Sequence, residues 1–388
     1  MSPESVGDTD CAADLIRIRR IREAHCGGIR HPDAGRDGLA FDSNDYLGLA
    51  TYRPVQEAWS RGARIWGVGS GGSHLLSGHT RAHERLEEAL AAWTGRERAL
   101  LFSNGYMANL SVLQALCGKR HRVVQDRLNH ASLWDGVRLS GARLRRYAHG
   151  KVEDAERLLR SGEGAPGLLV SEGVFSMDGD WAPLTGLAAA ARAARVTFMV
   201  DDAHGIGIWG PEGQGTCAAH ALGQDEVPIL MATLGKALGT YGAFVAGSAA
   251  LIETLIQRAR PYRYTTALPP ALAEATLIAR QCVIREPERR EHLFGLIHYF
   301  KTGCTELGLP LLPSPSPIQP LWLGSARAAL DVSRALATRG LWVPAIRPPT
   351  VPRGQARLRI SLSASHSRAN IDRLLEGLSD VCPRLNPP

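Results

Sequence analysis

The segment "VTFMVDDAHG" (196–205) is an apolar, partly β-branched run that stops abruptly at two carboxylates, an imidazole and a glycine. An apolar run of this length, without polar alternation, reads as a strand buried on both faces that opens into a loop. Four other segments share the pattern: "ALLFSNG" (99–105), "HRVVQDRLNH" (121–130), "GLLVSEGVFS" (167–176) and "PILMATLGK" (228–236). Amphipathic helical stretches separate them. That alternation predicts an α/β fold, with a mainly parallel central sheet and helices on both faces. The polar residues gather just past the strands, where open α/β sheets bind ligands.

Outward from this core, three parts are expected: an N-terminal helical segment (1–45), a large domain (46–275) and a small C-terminal α+β domain (276–388). The first contains "AADLIRIRRIREAHCGGIR" (12–30), read as a basic helix that ends near Gly27 and Gly28. The last contains the proline-rich crossing "LLPSPSPIQP" (311–320) and the strand-like "RLRISLSASHS" (357–367).

Composition narrows the function. Hydrophobic residues make up 44% of the 388-residue chain and charged ones 21%, as in a globular enzyme. No apolar run reaches the ~18 residues of a membrane span, and the N-terminal stretch lacks an apolar signal core, so a cytoplasmic protein is expected. The seven cysteines form no CxxC pair, and no Cys/His cluster has zinc spacing, so neither a disulfide framework nor a metal site is expected. The net charge of +7 comes almost wholly from arginine. It suits an arginine-rich surface, anionic substrates or an acidic carrier protein. Basic residues are spread out without interleaved aromatics, which argues against nucleic acid.

The chain has only four lysines, and Lys236 alone stands among apolar residues and glycines, in "MATLGKALGTYGAF" (231–244). An apolar setting lowers a lysine pKa and makes its amine a nucleophile able to form a Schiff base. About thirty residues earlier, "VDDAHG" alone would also describe a capped helix start with a structural histidine. Together, a carboxylate for a cationic ring nitrogen and a lysine for an aldehyde are the protein groups that pyridoxal 5'-phosphate (PLP) chemistry requires. Gly105, in "SNGYMANL" (103–110), offers backbone N–H groups at a helix start for a phosphate. His130 follows another strand and can stack on a ring. Glu172 and Ser176 leave the next strand as further polar groups.

These motifs, with "SNDYLGLA" (43–50), "GVGSGGSHLLSGHTRAHERLEEALAAWTG" (67–95), "NHASLWDG" (129–136), "SEGVFSMDGD" (171–180), "VDDAHGIGIWGPEGQG" (200–215), "TLGKALG" (233–239) and "YTTALPPA" (264–271), resemble the α-oxoamine synthases over roughly residues 40–375. That family consists of PLP enzymes with the aspartate-aminotransferase-like fold. The C-terminal stretch "AIRPPTVPRGQARLRISLSASHS" (345–367), supported by "SPIQPL" (316–321), resembles the family's biotin-pathway branch. The resemblance implies condensation of L-alanine with pimeloyl-CoA or a pimeloyl-acyl carrier protein, in a homodimer. A sister activity on glycine or serine with another acyl thioester, or an aminotransferase, is the alternative.

The resemblance also implies roles. Lys236 would hold the cofactor aldehyde, Asp201 would pair with the pyridinium nitrogen, and His130 would stack on the ring and meet substrate. His204 and Ser176 would contact its polar edge, while Gly105, Tyr106 and Thr233 would line the ring and phosphate. For substrate, Arg359 would grip the amino-acid carboxylate through a bidentate fork, joined by Asn44, Arg347 and Thr350. One arginine of the N-terminal helix would meet the acyl carboxylate. Arg19 is favoured there over Arg17, Arg20 and Arg22. The loop "GSGGSHLLSGHT" (69–80) would reach the partner's cofactor.

Overall fold

The computed structural model describes residues 12–17, 24–26, 28–30, 38–161 and 165–382. The chain divides into two units. One comprises Leu49–Ser176 and Trp181–Pro287; the other comprises the described residues up to Gly48, Met177–Asp180, and the chain from Glu288 onward.

The first unit is built on seven strands: β1 (Arg98–Phe102), β2 (His121–Asp126), β3 (Arg143–Tyr147), β4 (Ala165–Glu172), β5 (Thr197–Asp201), β6 (Ile229–Thr233) and β7 (Ala243–Gly247). They lie in the order β1-β7-β6-β5-β4-β2-β3. Ladders from β3 through β6 are parallel, whereas β7 runs antiparallel to both β1 and β6. All five strands expected from the sequence are present. The period of two decides which side each residue faces. Val123, Leu168, Val170, Met199, Met231 and Val245 join one buried cluster, and Val124, Leu169, Phe198, Val200 and Leu230 join the other. Both faces are therefore covered by helices, as a parallel sheet requires.

Two helices bring functional groups to the strand ends. Helix α1 (Gly105–Leu116) follows β1, and its cap Asn104 accepts a hydrogen bond from the Met107 N–H at 2.9 Å, a contribution of about 1 kcal/mol to helix stability. Helix α2 (Ala131–Ser140) follows β2 and starts at His130. The two pack closely because residue 136 is glycine: a Cβ there would stand 2.6 Å from the Leu113 side chain.

The second unit holds a three-stranded antiparallel sheet of β8 (Ile318–Gly324), β9 (Ala345–Ile346) and β10 (Ala356–Ser361), in the order β8-β10-β9. Helices Glu288–Glu306, Ala326–Thr338 and Arg368–Val381 accompany it. A short parallel ladder ties Leu39–Ala40 to Leu341–Trp342.

These units differ from the expected parts in three ways. The boundary falls after Pro287 rather than at 275, because helix Pro270–Arg285 belongs with helix Arg53–Trp66. Their approach is close enough that a Cβ on Gly62 would lie 2.8 Å from the Ala271 Cα. The described N-terminal residues join the C-terminal unit through the Leu39–Leu341 ladder rather than standing apart. Of the basic helix expected over 12–30, the described residues show Ala12–Leu15 as helix, while Ala24–Cys26 pairs antiparallel with Gly28–Arg30. Among the described residues no helix is long and apolar enough to cross a membrane.

Candidate active site

Three adjacent strand ends of the first unit carry the chemistry. Asp201 ends β5, and its register partner on β4 is Glu172. Lys236 lies three residues past β6, between the buried Leu234 and Ala237. The turn holding it is shaped by Thr233, whose hydroxyl donates to the Gly242 carbonyl at 3.0 Å and accepts from the Gly235 N–H at 3.3 Å. Lys236 Nζ stands 2.8 Å from His204 Nε2. His204 is buried, so the amine is positioned by an imidazole that is itself fixed.

The adjacent carboxylates Asp201 and Asp202 have separate roles. Asp201 is only 4% exposed; its Oδ1 accepts from the Ala203 N–H at 3.0 Å and its Oδ2 from Asn109 Nδ2 at 2.7 Å. Asp202 turns inward and accepts from the Thr216 N–H (2.8 Å) and hydroxyl (2.6 Å). Glycines wall it in: a Cβ on Gly173, Gly205 or Gly215 would stand 2.4, 2.0 or 1.9 Å from its carboxylate oxygens. Burial pushes the Asp202 carboxyl up to about 7.

A folded-state value raised above the unfolded one means that the native state holds the extra proton between the two. Stability from this group therefore falls as pH rises through that window, from about 4 to about 7. Asp202→Asn removes the titration. The melting midpoint of the variant, relative to the parent, is expected to shift in the variant's favour between about pH 5 and pH 8. Calorimetric scans at both pH values check this, and an unchanged difference refutes it.

His130 caps α2. Its Nδ1 lies 2.8 Å from Ser132 Oγ and accepts from the Ser132 N–H at 3.3 Å. Desolvation holds its imidazole below the ordinary histidine value; Asp201 opposes that shift and Lys236 reinforces it. Burial pushes the Glu172 carboxyl well above the usual range, with the nearby Asp201 charge adding to the shift. Glu172 also accepts from the His130 backbone N–H, and its Oε1 is buried without a hydrogen bond among the described residues. His130, Glu172, Asp201 and Lys236 thus form one electrostatic group.

Gly105 opens α1, whose first turn offers the Gly105 and Tyr106 N–H groups to an anion, the Met107 N–H being taken by Asn104. The exposed Tyr106 donates its hydroxyl to Asp135, with its ring edge-on to His130 at 6.4 Å. Ser176, four residues past β4, is half-buried.

The second unit holds the other named residues. Arg359, 5% exposed in the middle of β10, donates from both terminal nitrogens to Asn44 Oδ1 (3.2 Å each) and from Nη1 to Ser361 Oγ (2.8 Å). Tyr46 also donates to Asn44 Oδ1, at 3.1 Å. The guanidinium plane is therefore fixed. Arg347 is engaged by backbone carbonyls: Nε donates to Asp14 (2.5 Å), Nη2 to Ile16 (2.6 Å) and Nη1 to Ala345 (3.3 Å). It clamps the N-terminal segment, and from that segment Arg17 donates to Thr350 Oγ1 at 3.0 Å. Arg19, Arg20 and Arg22 lie outside the described residues.

Sequence reasoning missed Asn109 and Ser132, and left Glu172 without a role. Asn109 did carry a signal, as an amide on the apolar side of α1. A separate group, His74, His79 and His83, places its ring nitrogens close together. Both nitrogens of His83 are already used, by the Thr80 N–H (3.0 Å) and the Leu268 carbonyl (2.7 Å).

A fold of this kind, with an amine, a buried carboxylate and a ring histidine at its strand ends, defines a class. The chain belongs to the aminotransferase class I and II family, whose profile matches residues 36–378. Among its relatives are 8-amino-7-oxononanoate synthases. That of Methylococcus capsulatus is 56% identical over 373 residues, 96% of either chain. That of Nitrosococcus oceani is 54% identical over 367 residues, 95% of this chain and 97% of the relative. The solved 8-amino-7-oxononanoate synthase of Francisella tularensis superposes with a TM-score of 0.78 at 32% identity, covering 88% of this chain and 97% of that one. A serine palmitoyltransferase from S. paucimobilis, solved with a PLP–myriocin adduct, gives 0.86 at 32% identity, covering 91% and 88%.

Proposed function

We infer that this chain condenses L-alanine with a pimeloyl thioester, releasing CO2 and free thiol, to give 8-amino-7-oxononanoate for biotin biosynthesis. The observation that carries the reading is the Lys236 amine, held 2.8 Å from His204 at the strand ends that also present Asp201. The relatives' identity supports the substrates.

The donor set fits PLP. Lys236 is an amine for its aldehyde, Asp201 a buried anion for its ring nitrogen, and the α1 N-terminus at Gly105 a cradle for its phosphate. His130 would cover a ring face, with Tyr106 beside it. His204 and Ser176 would meet the polar edge, and Thr233 shapes the loop below. When bound, PLP supplies the electron sink for a carbanion at the alanine α-carbon.

The residues do the rest. Lys236 Nζ takes the α-proton, in a position set by His204. Asp201 holds a positive charge where it is needed and changes no bond itself. Arg359 orients the amino-acid carboxylate through its planar fork, which Asn44 and Ser361 hold still. A C–C bond forms between the alanine α-carbon and the thioester carbonyl, the C–S bond breaks to release the thiolate, the carboxylate leaves as CO2, and the electron pair left at the α-carbon takes back a proton from the Lys236 ammonium. Of the N-terminal arginines, Arg19 lies outside the described residues, and Arg17, which donates to Thr350 Oγ1, would be an alternative partner for the acyl carboxylate.

Arg359→Lys keeps the charge but loses the fork and the paired hydrogen bonds to Asn44. The KM for alanine is expected to rise at least about tenfold, with a smaller change in kcat. Steady-state kinetics decide it, and an unchanged KM removes Arg359 from the carboxylate site.

The reading carries with it a cytoplasmic homodimer. The exposed Val68, Leu75 and Leu76 of the 67–80 region support a second copy packing there. The direct test is thiol release from pimeloyl-CoA by the PLP-loaded protein with L-alanine, run beside glycine and serine with short-chain thioesters. Release that needs both alanine and the pimeloyl chain upholds the reading. Preference for another pair moves the chain to a sister activity.

A further inference from the structure

Asn109 sits 1% exposed on α1, beside the fully buried Ala108, Val112 and Leu113. An amide in such surroundings is expensive unless hydrogen-bonded. Its Nδ2 donates to Asp201 Oδ2 (2.7 Å) and to Ser132 Oγ (2.8 Å). The orientation follows from chemistry, since an ionised carboxylate only accepts and must face the amide nitrogen. Asn109 Oδ1, in contrast, makes no hydrogen bond among the described residues. The side chain is held by its donor half alone.

The chain of bonds continues. Ser132 Oγ accepts from Asn109 and lies 2.8 Å from His130 Nδ1, which also accepts from the Ser132 N–H. Nδ1 is thereby an acceptor, and the ring proton sits on Nε2. We propose that Asn109 is a positioning residue: one side chain fixes the Asp201 carboxylate and, through Ser132, the orientation and tautomer of the His130 ring. The two groups then move as one. If Asn109 served packing alone, an apolar residue of similar size would do as well. The glycine at 136 fits the same purpose, since it lets α2 approach α1 closely enough for the Asn109–Ser132 bond.

The catalytic consequence rests on the PLP reading above; the wiring does not. The test therefore uses two preparations of Asn109→Leu and Ser132→Ala. In the full-length protein without PLP, nitrogen NMR of the histidine rings reports the His130 tautomer. The parent is expected to keep one Nε2–H form between about pH 6 and 8, and both variants are expected to show averaged tautomers. In the PLP-loaded protein, Asn109→Leu is expected to shift the pH midpoint of the cofactor absorption and to lower kcat about a hundredfold. Its KM for alanine should stay within about threefold. Ser132→Ala should lower kcat less, because the Asp201 bond survives.

Should Asn109→Leu fail to fold, Asn109→Ala fits the same space, presents no donor to Asp201, and is expected to loosen both groups in the same way. A variant at residue 109 that keeps the parent's tautomer, absorption midpoint and kcat overturns the proposal. If the parent binds no PLP, the functional reading fails on its own, and the tautomer measurement still decides the wiring.

Discussion

Replacing Lys236 with alanine is expected to lower turnover on the order of 10⁴-fold, the upper end of what a positioned general base contributes. Nothing nearby can take over. Lys119 and Lys151 are exposed on the surface, and Lys301 lies in the other unit, donating to the Ser314 carbonyl at 3.0 Å. His204 Nε2, 2.8 Å from the Lys236 amine, loses that contact in the variant. The fold should be indifferent to the change, because Lys236 is only half-buried and its turn is held by Thr233, Gly235 and Gly242. Thiol release is the primary measurement, with the melting midpoint as control. Partial recovery on adding a small primary amine would show that a base was lost and not a shape. A Lys236→Ala protein with normal turnover would remove the lysine from the reaction.

Asp201→Asn ranks second. The swap is nearly isosteric, so Oδ1 can still accept the Ala203 N–H. What disappears is the negative charge, and the bond to Asn109 would become a clash of two amide donors unless one of them turns. A preorganised electrostatic partner is commonly worth 10²–10³ in kcat, and a loss of about that size is expected here, together with weaker PLP retention. Kinetics and cofactor dissociation measure the two effects. A variant within about tenfold of the parent in both would place the charge elsewhere than at the ring nitrogen.

Much of the clustering of these residues is legible in the sequence. Gly105, His130, Ser176, Asp201, His204 and Lys236 each follow an apolar run that proved to be a strand, and a parallel sheet brings such ends together by topology alone. Two strands were not legible. β3 reads "RLRRY" and lies at the sheet edge with its arginines exposed, so it carries no apolar signature. β7, "AFVAG", is short and bracketed by glycine and serine, and it looks like a loop until its two neighbours are known. The different surroundings of Asp201 and Asp202 were equally hidden, because they depend on which carboxylate Thr216 and the glycines at 173, 205 and 215 enclose. Asn109 could not be given its role from sequence either, since its partners lie 23 and 92 residues away. The contacts of Arg347 with the carbonyls of Asp14 and Ile16, more than 300 residues away in sequence, were likewise not legible.

The short parallel ladder between Leu39–Ala40 and Leu341–Trp342 sets a timetable for synthesis. A ribosome emits residue 39 long before residue 341, an interval of 302 residues (341 − 39), or roughly 15–60 s at typical elongation rates. Throughout that time the seven-stranded sheet can complete itself, because its last strand ends at Gly247. The segment "MDGD" (177–180) is in the same position, since Asp178 pairs with Arg357, which is made nearly last. The nascent chain therefore carries two unpaired tethers, one at its beginning and one midway, which only its final hundred residues can fasten. A chain truncated before Leu341 would keep every strand of the seven-stranded sheet and leave both tethers unfastened.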